Sequence, residues 1–183
     1  LNKVTTGDFN VAVGYNAGLS MTTGDRSVAI GPESLDACTT GQYNVAIGSS
    51  ALGSLTTADD NIAIGVNAGA AITTGHSNTA VGSYSLDANT TASDNTAIGK
   101  YSLSANTTGA SNTAIGKDSL ATNTTASYST AVGVASLIVN TTGERNVAMG
   151  YYALGANTTG DYNTALGTRS LVANTTADNN TAV

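Results

Sequence analysis

Small and apolar residues return along this chain at a fixed interval. The segment Asn112–Gly116, with the sequence Asn-Thr-Ala-Ile-Gly, recurs with small changes from one end to the other. Each of its eleven starts lies 17 residues after the last, with no insertion or deletion. A fixed period in this range is typical of a solenoid, in which every repeat forms one rung and stacks on its neighbours. The sequence therefore predicts an all-β, parallel β-solenoid with 17-residue rungs.

The recurring motif predicts a β-strand. Counting each repeat from the first residue of the motif, position 3 is Ala in all eleven copies and position 5 is Gly in all ten copies that reach it. Positions 2 and 4 are rich in Val, Ile and Thr, which favour strands, and side chains alternate between the two faces of a strand. Positions 2 and 4 thus share one face and positions 3 and 5 the other. Neither face is ever charged, so we expect one to be buried inside the solenoid and the other against another copy of the chain.

A Thr pair fills positions 13 and 14 in every copy. It predicts a second strand near positions 11 to 14, with one row of Thr pointing inwards and one outwards. Positions 6, 7, 16 and 17 are then the corners, and apart from Lys3 every charged residue lies there or at position 10. Position 15 is Gly or Ala, which indicates a need for a small residue and not for a positive φ. The expected interior is a narrow core of Ile, Leu and Ala.

Two positions change together in the middle of the chain. Position 2 is Val or Ile as far as Ile62 and mostly Thr from Thr79 onwards, while position 12 changes from Met, Cys, Leu and Ile to Asn. We infer that the two positions are neighbours and that an apolar seam gives way to a polar one. Stacked Asn side chains can hydrogen-bond from rung to rung as an amide ladder. The predicted structural ladders are Asn89, Asn106, Asn123, Asn140, Asn157 and Asn174, with Ile98 and Ile115 on the strand.

The consensus N-[TV]-A-[IV]-G-x-x-[SA]-L-x-x-N-T-T-G resembles the head repeats of YadA-like trimeric autotransporter adhesins and the related repeats of bacteriophage tail fibres. The resemblance covers the whole chain. It implies a left-handed parallel β-roll, three chains side by side as a homotrimer, and display outside the cell or on a virion. The adhesin heads have a shorter rung, which leaves the corner geometry open and favours a phage-type or environmental fibre.

Composition limits the other possibilities. We expect residues 1–183 to form a single repeat domain of about eleven rungs, truncated at both ends from a longer chain, because both ends fall within a repeat. Charged residues make up 10% of the chain and the net charge is -6, so no basic surface for nucleic acid is predicted. No apolar run approaches the ~20 residues of a membrane span, so no membrane insertion is expected of this segment.

Catalytic and metal-binding candidates are sparse. The chain has one His, His76, and one Cys, Cys38, which fits a small buried hydrophobe. No acid–base pair recurs and no loop interrupts the rungs, so we expect neither an enzyme nor a cofactor. Acids at position 16, such as Asp8 and Asp25, carry the oxygen ligands that calcium prefers. The repeat lacks the Gly-rich Asp nonapeptide of calcium-binding β-rolls, so a solvated corner is the favoured interpretation and no metal site is predicted.

Aromatic residues give the candidate recognition surface. All nine lie at positions 6, 7 or 17, and Tyr151, Tyr152 and Tyr162 gather within one repeat. Tyr combines a flat apolar face with a polar tip, which suits stacking on sugars or docking a protein. Asp161 and Asn163 add hydrogen-bonding groups, so we predict a site for a host-surface glycan or protein, with Tyr162 near the other two Tyr. The alternative is that the rings only pack on neighbouring rungs.

The predicted function is that of an extracellular fibre whose rod-like head or shaft presents a surface for attachment. One alternative is a self-stacking filament subunit, because an uncapped solenoid exposes strand edges to which further copies can add. A third hypothesis, ice binding, needs a flat face with at least two outward rows of Thr, and the expected alternation of positions 13 and 14 leaves one. Six Asn-Thr-Thr triplets match the N-glycosylation sequon, and we interpret them as ladder residues.

Overall fold

Eleven short parallel strands, one in each rung, form a single sheet in a computed structural model that describes residues 3–183. Each strand pairs with the next in the chain, and β6 and β7 align Ala97 with Ala114 and Ile98 with Ile115. The described residues contain no helix. The prediction of a parallel β-solenoid with 17 residues per rung is confirmed. The strands are β1 Val11–Val13, β2 Val28–Ile30, β3 Val45–Ile47, β4 Ile62–Ile64, β5 Thr79–Val81, β6 Thr96–Ile98, β7 Thr113–Ile115, β8 Thr130–Val132, β9 Val147–Met149, β10 Thr164–Leu166 and β11 Thr181–Ala182.

Gly at position 5 ends each full strand after three residues. The φ angles of these glycines lie between 121° and 137°, a region that residues with a Cβ avoid. A Cβ added to Gly99 would also lie 2.6 Å from the carbonyl carbon of Gly116 on the next rung. Both the backbone conformation and the close stacking of the rungs therefore require Gly at this position.

Positions 7, 9 and 17 form the corners with a left-handed backbone. Their φ angles lie between 48° and 63° in every rung, although the residues include Leu, Tyr and Arg. This conformation costs an L-residue about 1–2 kcal/mol, which the hydrogen bonds between rungs have to offset. Position 15 has no positive φ, as its tolerance of Ala predicted.

The small residues of the strand face inwards. Position-3 Ala is buried in the inner rungs, whereas Ile98 and Ile115 at position 4 are each 38% exposed. The predicted alternation of faces is confirmed, but the predicted Ile/Leu/Ala core is wrong for the Ile residues of position 4. The interior of each rung is already filled by Ala of position 3, by Leu of position 9 and by the residue at position 12, which leaves room only for Ala on the inner face of the strand.

No second strand forms at positions 11 to 14 within residues 3–183, so that prediction is wrong. The Thr pairs lie in bends. The backbone N–H of Thr107 donates to the carbonyl of Thr124 on the next rung at 2.9 Å, and the Thr107 hydroxyl donates to the same carbonyl at 3.0 Å. The rungs are thus tied at one carbonyl here, without the alternating ladder that defines a strand.

Positions 9 and 12 share the volume of the core. Where position 12 carries the large side chains of Met21 and Ile72, position 9 of the same rung is Gly18 or Gly69, although Leu52 and Leu55 occur together in one rung between them. A Cβ added to Gly69 would lie 3.0 Å from Cδ1 of Ile72 and 3.0 Å from Cδ2 of Leu52. The missing Leu side chain is therefore replaced by its neighbours, as close packing of a protein interior requires.

The amide ladder at position 12 is confirmed. From Asn106 to Asn174, each Nδ2 donates to Oδ1 of the Asn one rung earlier, at 2.8–3.2 Å. The second hydrogen of each amide goes to the position-15 carbonyl of its own rung, as from Asn123 to Ala126 at 3.0 Å. Asn89 to Asn157 are fully buried, and these bonds remove the penalty for burying a polar side chain.

A second amide ladder at position 1 was not predicted. Asn112 is fully buried, and its Nδ2 donates to the carbonyl of Ala126 at 2.8 Å. Its backbone N–H donates to Oδ1 of Asn95, on the preceding rung, at 3.0 Å. Position 1 is Asn or Ser in every copy, which was the available signal. Where it is Ser27, the thiol of Cys38 donates instead to the position-15 carbonyl of that rung, with Sγ at 3.7 Å.

Positions 2 and 12 are not neighbours, so the contact inferred from their joint change is wrong. Asn89 is fully buried, whereas Thr79 is only half-buried and lies between the buried residues Asn78 and Ala80. Their side chains are on opposite sides of the solenoid wall. The joint change makes the first rungs apolar on both sides of the wall and the later rungs more polar on both.

Candidate functional site

The outer surface carries every candidate for recognition. Among residues 3–183 there is no cavity, and no group of three His, Cys, Asp or Glu side chains is placed to hold a metal ion. In the same residues no helix is long and apolar enough to cross a membrane. Binding by this part of the chain would therefore use exposed side chains on the sides of the rod.

The three predicted recognition tyrosines lie at opposite ends of the strands. Tyr151 and Tyr152 follow β9, whereas Tyr162 precedes β10, and β9 and β10 are parallel and in register. The rings of Tyr151 and Tyr152 are paired, with centroids 5.5 Å apart and an interplanar angle of 55°. The ring of Tyr152 lies close to where a Cβ on Gly155 would be. The expected cluster of three is thus a pair at one edge of the sheet and a separate ring at the other.

Tyr162 belongs to a stack of three side chains at position 17. The guanidinium carbon of Arg145 lies 5.2 Å from the ring centroid of Tyr128 and 5.4 Å from that of Tyr162. Arg145 Nη1 also donates to the Tyr162 hydroxyl at 3.1 Å. One face of the Tyr162 ring is therefore turned towards Arg145, and its hydroxyl already has a partner.

The same arrangement occurs near the start of the chain. Arg26 lies 5.5 Å from the ring centroid of Phe9 and 5.6 Å from that of Tyr43, and its Nη1 donates to the Tyr43 hydroxyl at 3.2 Å. Sequence reasoning grouped the aromatic residues of position 17 but missed the Arg between them. The signal was an aromatic residue 17 positions before and 17 positions after both Arg26 and Arg145.

Asp161 and Asn163 have structural roles. Asn163 is fully buried in the position-1 ladder, donates from Nδ2 to the carbonyl of Ala177 at 2.8 Å, and does not reach the surface. It cannot serve the surface role predicted for it, because it alternates with the outward-facing strand residues. Asp161 is half-buried, and its Oδ1 accepts the backbone N–H of Glu144 at 2.7 Å.

Other side chains of position 16 act in the same way. Asp25 Oδ1 accepts the backbone N–H of Asp8 at 2.7 Å, and His76 Nδ1 accepts that of Asp59 at 3.0 Å. Seven side chains of the predicted solvated corner are thus acceptors that cap a backbone N–H of the preceding rung. An acceptor at position 16 satisfies a group that the corner would otherwise leave to water.

The outer face of the sheet is an uncharged strip along the whole rod. Its side chains come from positions 2 and 4, and ten rung intervals of ~4.8 Å make it about 50 Å long. Contiguous apolar surface of this kind marks interaction sites in soluble proteins. The apolar members that are more than a third exposed are Val11, Val13, Ile30, Ile62, Ile64, Ile98, Ile115, Met149 and Val183.

Both rows of the Thr pairs reach the surface. Position-14 Thr is exposed in all eleven rungs and position-13 Thr is never fully buried. Adjacent Thr residues do not alternate as expected, because they lie in a bend and not in a strand. The hydroxyls of position 13 are nevertheless engaged with the next rung, from Thr5 to Thr158.

Burial changes the acidity of three groups. It raises the pKa of the Cys38 thiol to about 11, so the thiolate is disfavoured. It also raises the pKa values of Asp36 and Asp87 above 3.8, the ordinary value for Asp. Oδ1 of Asp87 is the one buried side-chain oxygen or nitrogen in the described residues that lacks a hydrogen-bond partner.

Comparison with protein-family models, with curated proteins and with solved structures gives no match for this chain. The class that the structure defines is a β-solenoid repeat protein with uninterrupted rungs.

Proposed function

We propose that this chain forms the rod-like head or shaft of an extracellular fibre and acts through its sides as an adhesive element or a spacer. The observation that carries the proposal is the uninterrupted stack of equivalent rungs, whose described part has no cavity and presents its variable residues at the corners. A solenoid of this kind gains length, and not a larger core, with each repeat. The resemblance to adhesin heads and tail-fibre repeats supports a location on a cell surface or a virion.

We propose a homotrimer in which the outer sheet faces of three chains meet. Each face is about 50 Å long and roughly 10 Å wide, because its three-residue strands rise ~3.3 Å per residue. The resulting ~500 Å² is below the ~800 Å² that each partner contributes to a standard interface. The face is therefore small for a two-chain interface, and the number of three is proposed from the resemblance to trimeric heads.

Sedimentation equilibrium tests the assembly. We expect a trimer at micromolar concentration, and replacement Ile98→Asp should yield monomers because it places a carboxylate in the apolar contact. Thr108→Asp adds the same charge on an exposed side of the rod and should leave the trimer intact. A stable monomer for the parent chain contradicts the trimer, and growth into long polymers favours the filament instead.

Attachment is proposed to use the exposed aromatic corners, with a host-surface glycan or protein as partner. Tyr151 and Tyr162 are about half exposed, at 48% and 52%. Because these residues lie at opposite edges of the sheet, Tyr151→Ser with Tyr152→Ser is tested separately from Tyr162→Ser, by adhesion of coated beads to cells. Loss with the first pair alone assigns the contact to that edge. Unchanged adhesion in both variants would leave the rod as a spacer.

Ice binding is the second candidate function, favoured by the accessibility of both Thr rows. No charged residue occurs at positions 12 to 15 in any rung, and position 14 offers one exposed Thr per rung. Lys at positions 91, 108 and 125 should abolish retention on ice if this face binds it. A parent chain that is excluded from growing ice rules the candidate out.

A further inference from the structure

The two Arg–aromatic stacks have the same geometry but differ in one contact. In each, aromatic rings lie on both sides of the guanidinium group, and Nη1 donates to a Tyr hydroxyl, at 3.2 Å for Arg26 and 3.1 Å for Arg145. A guanidinium group held in this way keeps further N–H donors in its own plane, in the fork that matches a carboxylate. Each stack therefore holds an arginine between two aromatic side chains on the side of the rod.

The second stack already holds a carboxylate. Glu144, the residue before Arg145, places Oε2 3.2 Å from Arg145 Nη1. The corresponding residue of the first stack is Asp25, whose side chain is one methylene shorter and whose Oδ1 accepts the backbone N–H of Asp8. No carboxylate of residues 3–183 lies within 4.0 Å of the Arg26 guanidinium. Arg26 has the same aromatic support as Arg145 without its acidic partner.

We propose that the Phe9–Arg26–Tyr43 stack binds the carboxylate of an external acidic sugar, a hexuronate, in the place that Glu144 takes in the second stack. The in-plane N–H donors of Arg26 hold the carboxylate. Phe9 is 77% exposed and Tyr43 is 48% exposed, so apolar ring edges lie beside the charge and suit the C–H groups of a pyranose. This inference does not depend on the proposed trimer or fibre, because the stack lies within one chain.

The surroundings of Arg26 favour a sugar over other carboxylate ligands. Asp8 and Asp25 precede the stack on successive rungs, and they repel ligands with several closely spaced negative charges, such as an acidic peptide. A uronate has one carboxylate on each ring, and its hydroxyls can donate to these acids. Binding at one such exposed site is expected to be weak, in the millimolar range.

The side-chain N–H signals of arginine in an NMR titration test the proposal directly. The chain has only three arginines, Arg26, Arg145 and Arg169, so their Nε–H signals are assigned by single replacements to Lys. Glucuronate should shift the Arg26 signal, whereas glucose, which lacks the carboxylate, should not. Acetate should bind at least tenfold more weakly than glucuronate, and a tri-glutamate peptide should bind more weakly as well.

Two charge-conserving replacements exploit the difference between the stacks. Asp25→Glu should supply an internal carboxylate to Arg26 and weaken glucuronate binding at least tenfold. Glu144→Asp should open the second stack and raise the stoichiometry from one to two. Arg26→Lys, which keeps the charge but loses the planar fork, should weaken binding by a similar factor, with circular dichroism as the check on folding.

The following results would overturn the proposal. They are an Arg26 signal that glucuronate does not shift, and undiminished binding by the folded Asp25→Glu variant. If acetate bound as tightly as glucuronate, the sugar ring would contribute nothing and the proposed sugar ligand would be wrong. If the tri-glutamate peptide bound more tightly than glucuronate, the ligand of the stack would be a protein. Each of these results leaves the fibre proposal as it stands.

Discussion

The first rungs and the later rungs of this solenoid build the same turn from different interiors. In the first part position 12 carries Met21, Cys38, Leu55 and Ile72, and in the later part it carries only Asn. The sheet nevertheless continues in register across the change, with Ile62 opposite Thr79 and Ala63 opposite Ala80. The rung geometry is therefore set by what the two parts share, which is Gly at position 5, Ala at position 3, the left-handed corners and the position-13 Thr bonds. Position 12 fills the remaining interior space with either an apolar side chain or Asn.

The two interiors fail in different ways. An apolar side chain of the seam contributes about 1.5–3 kcal/mol through its own burial, and a neighbour of similar size can replace it. A ladder Asn has a net gain of about 0.5–1.5 kcal/mol per hydrogen bond, but its removal leaves buried partners unsatisfied on two adjacent rungs. In the polar part, position 12 thus requires Asn in particular, whereas in the apolar part it requires only an apolar side chain of suitable volume.

The largest expected effect comes from breaking the ladder. Asn123→Leu removes the acceptor of Asn140 and the donor to Asn106, and it places a larger side chain beside Leu120. We expect the free energy of unfolding to fall by roughly 3–5 kcal/mol. The matched replacement in the apolar seam, Leu55→Met, should cost less than about 1.5 kcal/mol. Urea unfolding followed by circular dichroism measures both, and equal losses would contradict the contrast.

Converting one rung from the first type to the second sharpens the comparison. Gly69→Leu alone should destabilise by about 1–3 kcal/mol, because Ile72 and Leu52 occupy the space. Adding Ile72→Asn removes the contact with Ile72, so that only the contact with Leu52 remains, and it gives Asn89 an amide partner on the preceding rung. The double variant should therefore recover most of the loss. Additive losses in the double-mutant cycle would show that positions 9 and 12 do not share volume.

A contact common to both parts should respond equally in both. The hydroxyls of Thr39 and Thr107 donate to the next rung at 3.1 and 3.0 Å. Val at either position should cost about 1 kcal/mol, whereas Thr108→Val, at the exposed neighbouring position, should change stability by less than about 0.5 kcal/mol. A clear difference in stability loss between Thr39→Val and Thr107→Val would mean that the residue type at position 12 also affects the hydrogen bond of position 13.

The smallest expected effect concerns Asp87, in the first rung of the polar part. Burial raises the pKa of its carboxyl in the folded chain, so the folded state binds the proton more tightly than the unfolded state. The stability contributed by this group is present below 3.8 and is lost as the pH rises through the higher folded value. Asp87→Asn should raise the melting temperature at pH 7 and reduce the fall of stability between acid and neutral pH. An unchanged pH profile would contradict this reading of the carboxyl.

Sequence reasoning reached the register, the strand and the position-12 ladder, because all three follow from the period and from the alternation of side chains. It could not predict which face of the strand points into the solenoid. Alternation separates Ile98 from Ala97 but does not say which points inwards, since that depends on how much room the rest of the rung leaves inside. The second strand was predicted from the β-propensity of Thr, which the left-handed corners at positions 9 and 17 overrode.

The candidate site was less predictable for a related reason. Tyr151, Tyr152 and Tyr162 are close in the sequence, but a three-residue strand separates the ends of each rung. Asn163 was assigned to the surface because Asn is polar, whereas the ladder satisfies its amide inside. The Arg stacks combine unlike residues at position 17, aromatic and cationic, so similarity of residue type along that position does not reveal them.

Hydrogen exchange of the Asn side-chain amides tests the central claim most directly. If the polar part has a buried amide ladder, the Nδ2 hydrogens of Asn106, Asn123 and Asn140 exchange with solvent only when the rungs open. Their exchange should be slower by several orders of magnitude than that of the exposed Asn179, and as slow as that of the strand backbone. Exchange of the ladder amides as fast as that of Asn179 would contradict the account.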